Sequence, residues 1–563
     1  MKKYFSIKIA GPAGYGIMSA GKLLGQTLTD LNFQTISYPQ YPSQIRGGDN
    51  TSQTTFSSHL LPVPEEKSDV LIAFSSLSLE KNQPLLKKDA LVIADRNIKT
   101  SAKNIIKIPF TQIAIDLTGK ELVRNTISLG YIFGLLELPI KILEKQLKKT
   151  FQEKGKKIIS QNIKAAREGY QIASQSNHQK KLAAATSFSK NQFSSGNEAI
   201  AQGIVDARCG YAAIYPMTPI NSILTILADK QTKTGMTIFQ PEDEIAGVNS
   251  AIGASFAGQR AAVATSGGGF SLMVEGFSMA GAAEIPLVVI EGMRAGPSSG
   301  MATWTSQEDL LFLIRAGNGE FPRIILTPGD AQEAYHLTFK AFNFADIYQT
   351  PVIVVTDKYL SESFFTSPVF QNPEKINRGK TITHGQKNYQ RYQITTDGIS
   401  PRAWPGQTQF LTNSYVHDEK GFSTDSATMR EKMKEKLFKK LLPLQNQSGA
   451  TLYGKRGAAL TLVSWGSTKN AVLAVQKNLT AKGENVNFYH FWRPWPFSQI
   501  DKEFLKKAAK IVVVENNSQG QLSQLIRQQT GRTVDQKILK DNGRPFWSGE
   551  VEKRITEKGD FSW

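Results

Sequence analysis

The sequence predicts an α/β protein built of three domains, and two observations lead to this prediction. The chain has 563 residues, whereas single hydrophobic cores rarely grow beyond about 250–300 residues. Short apolar runs alternate along it with stretches whose apolar residues recur at helical spacing, which is the order of α/β folds. The predicted domains are residues 1–174, 196–368 and 451–563, with a linker at 175–195 and a connecting segment at 369–450.

The first domain is expected to start with a strand at residues 5–10 and a helix at 17–31. Further apolar runs predict strands at 35–38, 70–74 and 91–94, and helical patterns follow from residue 122 onward. Residues 171–196 are rich in Ser, Gln, Asn and Lys and contain few large apolar side chains. That composition is typical of a linker.

The second domain is expected to form a doubly wound sheet, with helices at 198–207, 220–230 and 244–256 and strands at 212–215 and 261–265. Residues 367–450 are rich in Pro, Gly, Asn and Thr and predict a long connection with one charged helix at 427–442. The third domain is expected to be a small α/β domain with strands at 458–463, 486–490 and 510–514.

Composition limits the classes of function. Cys209 is the one cysteine, so the chain cannot form a disulfide framework or supply the four thiolates that an iron–sulfur cluster usually needs. The six histidines are scattered without the spacing of a metal site, and no metal site is predicted. No apolar run approaches the roughly 18 residues of a membrane span, and we expect a cytoplasmic protein with no membrane partner.

The formal net charge of +19 suits a nucleic-acid partner, an acidic protein partner or a basic proteome. Lysines concentrate at residues 141–164 and 432–440, where apolar residues recur at helical spacing. This pattern favours two amphipathic helices with solvated basic faces. No nucleic-acid-binding motif accompanies the charge, so we expect no nucleic-acid partner.

Three segments rich in Gly and Pro follow short apolar runs between residues 212 and 309. They are YPMTP at 215–219, TSGGG at 265–269 and RAGPSSG at 294–300, and the acidic triplet EDE occupies 242–244 between the first two. We expect these segments to be loops at the carboxyl ends of strands, where open α/β sheets bind ligands.

The order of these motifs resembles the alpha subunit of 2-oxoacid:ferredoxin oxidoreductases, which use thiamine diphosphate. GPAGYG at 11–16 and YPSQIRGG at 41–48 are similar to the gamma domain that is often fused ahead of it. Motifs at 396–406, 417–421, 464–468, 495–497, 514–517 and 542–546 extend the resemblance over nearly the whole chain. It implies a gamma-type α/β domain, a thiamine diphosphate pyrimidine-binding-type domain and a transketolase C-terminal-like domain.

The resemblance implies a catalytic role for Glu244, as the carboxyl that activates the cofactor from beside its pyrimidine ring. Such a carboxyl needs a sheltered pocket, because desolvation keeps its proton available for sharing. Glu242 is the rival if the alignment is displaced. The structural alternative is that residues 242–244 only favour a helix N-terminus through the macrodipole.

Thr218 and Arg294 match family residues that contact the substrate. The hydroxyl of Thr218 can donate to a substrate carbonyl, or Thr218 can cap a helix that has Pro219 at its first position. The guanidinium of Arg294 can grip a carboxylate in bidentate fashion, or form a surface ion pair. Tyr215, Pro216, Gly267, Gly268 and Gly269 are expected at the cofactor, with a simple turn before a helix at 270–281 as the alternative for the glycines.

Gly11, Gly14 and Gly16 lie between the first strand and helix with the spacing G-x-x-G-x-G, which is not the dinucleotide fingerprint. NAD is therefore not predicted. The resemblance implies that this loop and a second one containing Arg46 help to bind coenzyme A. A purely structural turn is the alternative.

The chain lacks the Gly-Asp-Gly motif that anchors diphosphate and magnesium in thiamine enzymes. The resemblance therefore implies a beta subunit that holds the diphosphate, Mg²⁺ and an iron–sulfur cluster. The predicted activity is conversion of a 2-oxoacid, with 2-oxoglutarate favoured, and coenzyme A to acyl-CoA and CO₂, with electrons passing to ferredoxin. The alternatives are a non-catalytic nucleotide-binding or assembly subunit and, less favoured, a self-contained decarboxylase.

Two departures from the family pattern bear on the substrate preference. Gly267-Gly-Gly269 stands where relatives commonly have Gly-Pro-Gly. Trp304 and Ser306 occupy positions where other residues, often including a Glu, are usual.

Overall fold

The computed structural model describes residues 4–43, 48–58, 63–101, 104–180, 182, 191–371, 374–382 and 387–556. Its strands are β1 (Phe5–Gly11), β2 (Gln34–Gln40), β3 (Asn50–Ser57), β4 (Ser68–Ala73), β5 (Leu86–Asp95), β6 (Ile105–Ile108), β7 (Asn191–Ser195), β8 (Tyr211–Ile214), β9 (Thr237–Phe239), β10 (Ala261–Thr265), β11 (Leu287–Met293), β12 (Ile324–Leu326), β13 (Pro351–Asp357), β14 (Phe364–Pro368), β15 (Ala450–Tyr453), β16 (Leu460–Trp465), β17 (Val486–Phe491), β18 (Ile511–Glu515) and β19 (Gln536–Leu539).

Its α-helices are α1 (Ile17–Asp30), α2 (Ser76–Asn82), α3 (Phe110–Thr118), α4 (Arg124–Leu135), α5 (Ile140–Thr150), α6 (Lys156–Ser174), α7 (Gly196–Asp206), α8 (Asn221–Thr234), α9 (Glu244–Phe256), α10 (Gly267–Ala282), α11 (Leu310–Arg315), α12 (Ala331–Tyr348), α13 (Lys358–Glu362), α14 (Ala427–Lys439), α15 (Leu442–Gln445), α16 (Lys469–Ala481), α17 (Gln499–Lys507), α18 (Gln521–Thr530) and α19 (Ser548–Thr556). Short 3₁₀ helices lie at Gln83–Leu85, Glu121–Val123, Gln152–Lys154 and Gly466–Thr468. The predicted α/β class is confirmed.

The chain divides into two compact units. The first comprises the described residues up to Ser194 together with Glu362–Val369, and the second comprises the remainder. The first unit contains a mixed sheet in the order β6-β5-β4-β1-β3-β2-β14-β7. β1, β4, β5 and β6 run parallel to one another, whereas β3 is antiparallel to both β1 and β2.

The sequence prediction differs from this sheet at four strands, one of which is β6, where no strand was predicted. β3 was not predicted because its sequence, NTSQTTFS, is polar although residues 51–57 are buried. β7 lies within the predicted linker, and β14 belongs to the first sheet although its residues were assigned to the second domain. Strand pairing between distant segments cannot be read from local periodicity.

α4 and α6 approach each other closely on the first unit. A Cβ atom on Gly130 would lie 1.9 Å from the backbone carbonyl oxygen of Ala166, and one on Gly169 would lie 1.9 Å from that of Ile127. The two glycines therefore allow direct contact between the helix backbones. α5 and α6 contain the first predicted lysine-rich pattern, since each has one buried side and many exposed lysines. The prediction of a solvated basic face at 432–440 is wrong for Lys436 and Lys440, which are buried.

The second unit contains two sheets that share one apolar core. The six-stranded sheet has the order β12-β13-β11-β10-β8-β9, and its strands pair in parallel. The five-stranded sheet has the order β15-β17-β16-β18-β19. Side chains from both sheets, including Val263, Val289, Val463 and Val513, belong to the same buried cluster.

The connecting segment is anchored by buried arginines. Arg402 and Arg260 both contact the carboxylate of Asp346, each at 2.8 Å, and all three side chains are buried. Arg391 donates to the side chain of Gln349 at 3.0 Å. Arg402 of the Thr396–Gly406 motif therefore attaches the connecting segment to α12.

No helix among the described residues is both long enough and apolar enough to cross a bilayer.

Candidate active site

The three Gly/Pro segments leave one edge of the six-stranded sheet. β8, β10 and β11 are parallel neighbours that end at Ile214, Thr265 and Met293. The segments that follow these strands therefore emerge at the carboxyl edge, which is where open α/β sheets bind ligands.

Glu244 is the first residue of α9 and is buried, with 3% of its surface exposed. Its Oε1 atom has no hydrogen-bond partner in the described part of the chain. Asp243 caps the helix by accepting a hydrogen bond from the backbone N–H of Ala246 at 2.8 Å, so the cap does not require Glu244. Glu242 is exposed. Of the two glutamates, only Glu244 has a sheltered carboxyl oxygen without a hydrogen-bond partner among the described residues.

The glycine triplet, Gly267–Gly269, forms the first turn of α10. The predicted alternative, a turn before a helix at 270–281, is therefore wrong. A Cβ atom on Gly269 would lie 2.3 Å from Oε1 of Glu244, and one on Gly267 would lie 2.5 Å from Oδ2 of Asp309. Gly268 has no heavy atom closer than the carbonyl oxygen of Ser298, at 4.0 Å. A side chain at either outer position would have to displace a neighbouring side chain, whereas the middle position has open space.

The helix start also supplies donors. Ser266 is the N-cap of α10 but makes no capping bond with its side chain. The first backbone N–H groups of a helix have no partner within it, and they carry partial positive charge. The triplet can therefore contact a ligand through backbone N–H groups without a side chain in between.

Arg294 and Thr218 lie together. Nη1 of Arg294 donates a hydrogen bond to the backbone carbonyl of Thr218 at 3.1 Å. Arg294 is half-buried, and burial lowers the pKa of its guanidinium. Tyr215 and Pro216, which begin the same loop as Thr218, are exposed. A cation next to a loop rich in exposed backbone is suited to a carboxylate ligand.

The loop that carries Thr218 is seated on β11. A Cβ atom on Gly292 would lie 2.7 Å from Cγ2 of Ile220 and 3.0 Å from Cγ of Pro219. α8 starts at Asn221, and its N-cap, Ile220, has no side-chain capping bond. The alternative in which Thr218 caps this helix is therefore wrong.

The loop after Arg294 folds back on itself. The backbone N–H of Ala295 donates to the carbonyl of Trp304 at 3.1 Å, and that of Gly296 donates to the carboxylate of Glu308 at 2.9 Å. The guanidinium of Arg544 lies 3.2 Å from the centre of the Trp304 ring. Trp304 therefore holds the loop against the segment after β19.

Three acidic residues missed by the sequence analysis lie beneath this edge. Glu291 on β11 and Asp357 on β13 are buried, and Asp309 precedes α11. Burial, followed by the charges of Asp309 and Asp357, raises the pKa of Glu291 well above its ordinary value. The only signal in the sequence was an acidic residue that interrupts the apolar run of a strand.

The glycine loop of the first unit is explained by its own contacts. Gly14 and Gly16 have φ values of 86° and 70°, a region that favours glycine. A Cβ atom on Gly16 would lie 2.5 Å from Nδ2 of Asn125, which donates to the carbonyl of Tyr15. The guanidinium of Arg124 lies 4.0 Å from the centre of the Tyr15 ring. Arg46 lies outside the described residues.

Comparison with known families adds to this geometry. Residues 202–436 match the model described as "Pyruvate flavodoxin/ferredoxin oxidoreductase, thiamine diP-bdg", and residues 6–172 match "Pyruvate ferredoxin/flavodoxin oxidoreductase". The alpha subunit of 2-oxoacid:ferredoxin oxidoreductase 2 from Aeropyrum pernix is 33% identical over 99% of this chain and 98% of its own length. The chain belongs to the alpha subunits of 2-oxoacid:ferredoxin oxidoreductases. It is thus part of a multi-subunit, thiamine diphosphate-dependent oxidoreductase, and the predicted family is confirmed.

Other members of the family extend the comparison. The KorA subunit of 2-oxoglutarate synthase from Methanocaldococcus jannaschii is 33% identical over 58% of this chain and 89% of its own length. The solved structure of 2-oxoglutarate:ferredoxin oxidoreductase from Magnetococcus marinus, with 2-oxoglutarate, coenzyme A and succinyl-CoA bound, matches with a TM-score of 0.92 and 30% identity. It covers 99% of this chain and 100% of that one.

The geometry explains one departure from the family pattern. Where relatives commonly have Gly-Pro-Gly, this chain has a third glycine at position 268, the one position of the triplet with open space. The glycine at position 268 therefore does not alter the close packing of Asp309 against Gly267 and of Glu244 against Gly269.

Proposed function

We propose that this alpha subunit, paired with a beta subunit, converts 2-oxoglutarate and coenzyme A to succinyl-CoA and CO₂ while two electrons pass to ferredoxin. The substrate is inferred from relatives, since KorA from Methanocaldococcus jannaschii is a subunit of 2-oxoglutarate synthase and the Magnetococcus marinus enzyme was solved with 2-oxoglutarate bound. We place the reaction in the cytoplasm.

One observation carries the catalytic proposal. The carboxyl of Glu244 is buried, its Oε1 atom has no hydrogen-bond partner among the described residues, and Gly269 lets the first turn of α10 pack directly against that oxygen. These features fit the pyrimidine half of thiamine diphosphate, which needs a sheltered carboxyl beside a ring nitrogen and a surface without side chains. When bound, the cofactor supplies the nucleophile that attacks the 2-oxo carbon. Glu244 would hold a proton at Oε1 and share it with the ring.

Substrate binding would fall to the loop pair beside it. Arg294 would bind the carboxylate of the 2-oxoacid, and its bond to the Thr218 carbonyl would fix the orientation of the guanidinium. The hydroxyl of Thr218 would then lie near the 2-oxo group and donate to it. Tyr215 and Pro216 would form the wall of this site. Residues 297–300 follow Arg294 in the chain and are exposed, and they would cover the substrate site from solvent.

The chain requires a partner for the rest of the chemistry. It has one cysteine, Cys209, which is buried, and burial raises the pKa of its thiol to about 12. Such a thiol is not a cluster ligand or an electron carrier. We propose that a beta subunit holds the cofactor diphosphate, Mg²⁺ and the iron–sulfur cluster, and that ferredoxin receives the electrons there. We propose that the loop of Gly11, Gly14 and Gly16 contributes to coenzyme A binding, together with Arg46.

The test is an assay of the chain with and without its cognate beta subunit. Coenzyme A-dependent reduction of methyl viologen would be measured with 2-oxoglutarate, pyruvate and branched-chain 2-oxoacids. We expect turnover in the pair only, with the highest kcat/KM for 2-oxoglutarate. A pure, cluster-loaded pair without turnover on any of these would contradict the proposal and favour a non-catalytic assembly subunit. Decarboxylation by the chain alone would instead indicate a self-contained enzyme.

A further inference from the structure

Glu291 is a buried acid without a donor. It lies on β11 with 0% of its surface exposed, and neither carboxylate oxygen has a hydrogen-bond donor among the described residues. Thr265, two residues before Gly267, pairs with Glu291 in the sheet, and the nearby carboxyl of Asp309 raises the pKa of Glu291 in addition to burial. Two adjacent carboxyl groups that are removed from water cannot both be ionised, because the charged forms repel each other and lack solvation.

The neighbouring acids differ from Glu291 in their partners. Asp357 on the adjacent strand accepts hydrogen bonds from Oγ1 of Thr305 at 3.1 Å and from the backbone N–H of Leu360 at 2.9 Å. These bonds lower the pKa of Asp357, although burial raises it overall. Glu291 has no such donor among the described residues, so Asp309 is the acid with which it can share a proton.

Asp309 connects this pair to the glycine triplet. Its Oδ2 atom occupies the space where a Cβ atom on Gly267 would lie, at 2.5 Å. An anionic carboxylate is stabilised at that point because α10 starts there with its positive dipole end. Oε1 of Glu244 occupies the corresponding space at Gly269. Two acidic side chains therefore pack against the same helix turn.

We propose that Glu291 and Asp309 share one proton and act as a positioning pair that holds the glycine triplet, and through it Glu244, in place at the site. Glu291 carries the proton and donates it in a hydrogen bond to the carboxylate of Asp309. This inference rests on the proposed role of the triplet and Glu244. It adds two residues that would touch neither substrate nor cofactor and would act through the backbone of α10.

The pair makes the site sensitive to acid. Burial raises the pKa of Asp309 to about 6. Below that pH, Asp309 gains a proton of its own, and the charge-assisted hydrogen bond from Glu291 is lost. Asp309 then positions the glycine triplet less firmly. The other acids that face this region are Glu244, Asp357 and Glu308. Burial, together with a hydrogen bond with Asp541, raises the pKa of Glu308. Substitutions of Asp309 and Glu291 are therefore needed to show which of these acids causes the pH dependence of kcat.

The first test is infrared spectroscopy of the full-length chain, which does not depend on activity. At pH 7 the difference between the wild type and Glu291→Gln should contain the C=O stretching band of a protonated carboxyl group. Glu275→Gln, an exposed position on α10, should show no such band. A carboxylate band at Glu291 in place of the acid band would overturn the proposal. If Glu291→Gln does not fold, Asp309→Asn replaces it, and the Glu291 acid band should then shift in frequency.

The second test is the pH profile of kcat in the assembled complex. The wild type should lose activity along an acid limb near pH 6, because burial raises the pKa of Asp309 to about 6. Asp309→Asn should remove that limb, and Glu291→Leu should move it to higher pH because Asp309 loses its donor. Glu291→Gln retains a donor and should leave the limb in position. Equal losses at every pH would show a structural role only and overturn the proposal. An inactive wild-type complex would count against the proposed function, and the infrared result would still decide the pair.

Discussion

A Cβ atom on Gly269 would lie 2.3 Å from Oε1 of Glu244 and 2.1 Å from Oγ1 of Thr265. Gly269 has ordinary helical backbone, since it lies in the first turn of α10. The reason for glycine is therefore space, and the space is taken by the carboxyl group to which we assign the proton transfer. Changes at position 269 should affect the chemistry more than the fold.

Gly269→Ala should fold and lose activity. The new methyl group can be accommodated if the ends of the Glu244 and Thr265 side chains move, and alanine favours a helix over glycine by about 1 kcal/mol. Stability should therefore change little. Because a shift of about 1 Å in a reacting group can cost about 10²-fold in rate, kcat of the complex should fall by at least that factor. Gly268→Ala is the matched control, and equal losses in both variants would contradict the spatial argument.

Glu244→Gln should abolish proton sharing without changing the shape of the site. The amide has the same size but cannot transfer a proton, and general acid–base groups contribute about 10²–10⁴-fold to rate. We expect kcat of the complex to fall by that range or more. Glu242→Gln removes an exposed carboxyl two residues away and should leave kcat unchanged. A large loss in Glu242→Gln with none in Glu244→Gln would mean that the assignment of the two glutamates is reversed.

Arg294→Lys should weaken binding of the 2-oxoacid. Lysine keeps the charge but loses the planar fork and the bond to the Thr218 carbonyl. A lost charge-assisted hydrogen bond of about 1.5–3 kcal/mol corresponds to about 10–100-fold in kcat/KM, and most of it should appear in KM. Arg315→Lys is the control, because Arg315 is exposed on α11 and bonds to the side chain of Gln528. An unchanged KM in Arg294→Lys would remove Arg294 from the substrate site.

Local sequence was enough to predict the elements around Glu244. α9 and β10 have the predicted limits, Glu244–Phe256 and Ala261–Thr265. Asp243 supplies a cap, and Gly258, with a φ of 101°, supplies a stop after the helix. The helix and strand between these signals have clear apolar patterns. Where the helix cap, the apolar pattern and the glycine after the helix agree, the limits of the element can be predicted from the sequence.

Non-local contacts explain what the sequence did not predict. β3 is polar yet buried, because its hydroxyl groups bond to those of neighbouring strands, as in Ser37 to Ser52 at 3.0 Å and Thr55 to Ser6 at 3.1 Å. An alternation of apolar and polar residues is absent from such a strand. The Glu291–Asp309 pair was missed for a similar reason, because Glu291 lies on β11 and Asp309 lies before α11, and only the fold brings them together.

A buried ion cluster should determine the stability of the second unit. Glu284 is buried, and its carboxylate contacts the ammonium groups of Lys436, at 2.5 Å, and Lys440. Burial alone would raise the pKa of Glu284, but the two lysines outweigh it and hold the pKa well below its usual range. Glu284→Gln leaves both buried ammonium groups without a counter-ion, which costs about 3–5 kcal/mol. The urea midpoint of Glu284→Gln at pH 7 should therefore be lower than that of the wild type.

The effect of Glu284→Gln should depend on pH with a definite sign. A carboxyl group whose pKa is lower in the folded than in the unfolded chain stabilises the fold above the unfolded pKa, about 4.3 for glutamate. As the pH falls below that value, the unfolded wild type gains a proton that the folded protein does not, so the difference in urea midpoint should shrink. Glu435→Gln on α14 removes an exposed partner of Lys439 and should cost about 0.5 kcal/mol or less at any pH. Because burial lowers the pKa of Lys440 to about 7, protonation of this lysine also contributes between pH 7 and about 4.3. A difference between wild type and Glu284→Gln that grows below about pH 4.3 would contradict the pairing of Glu284 with the two lysines.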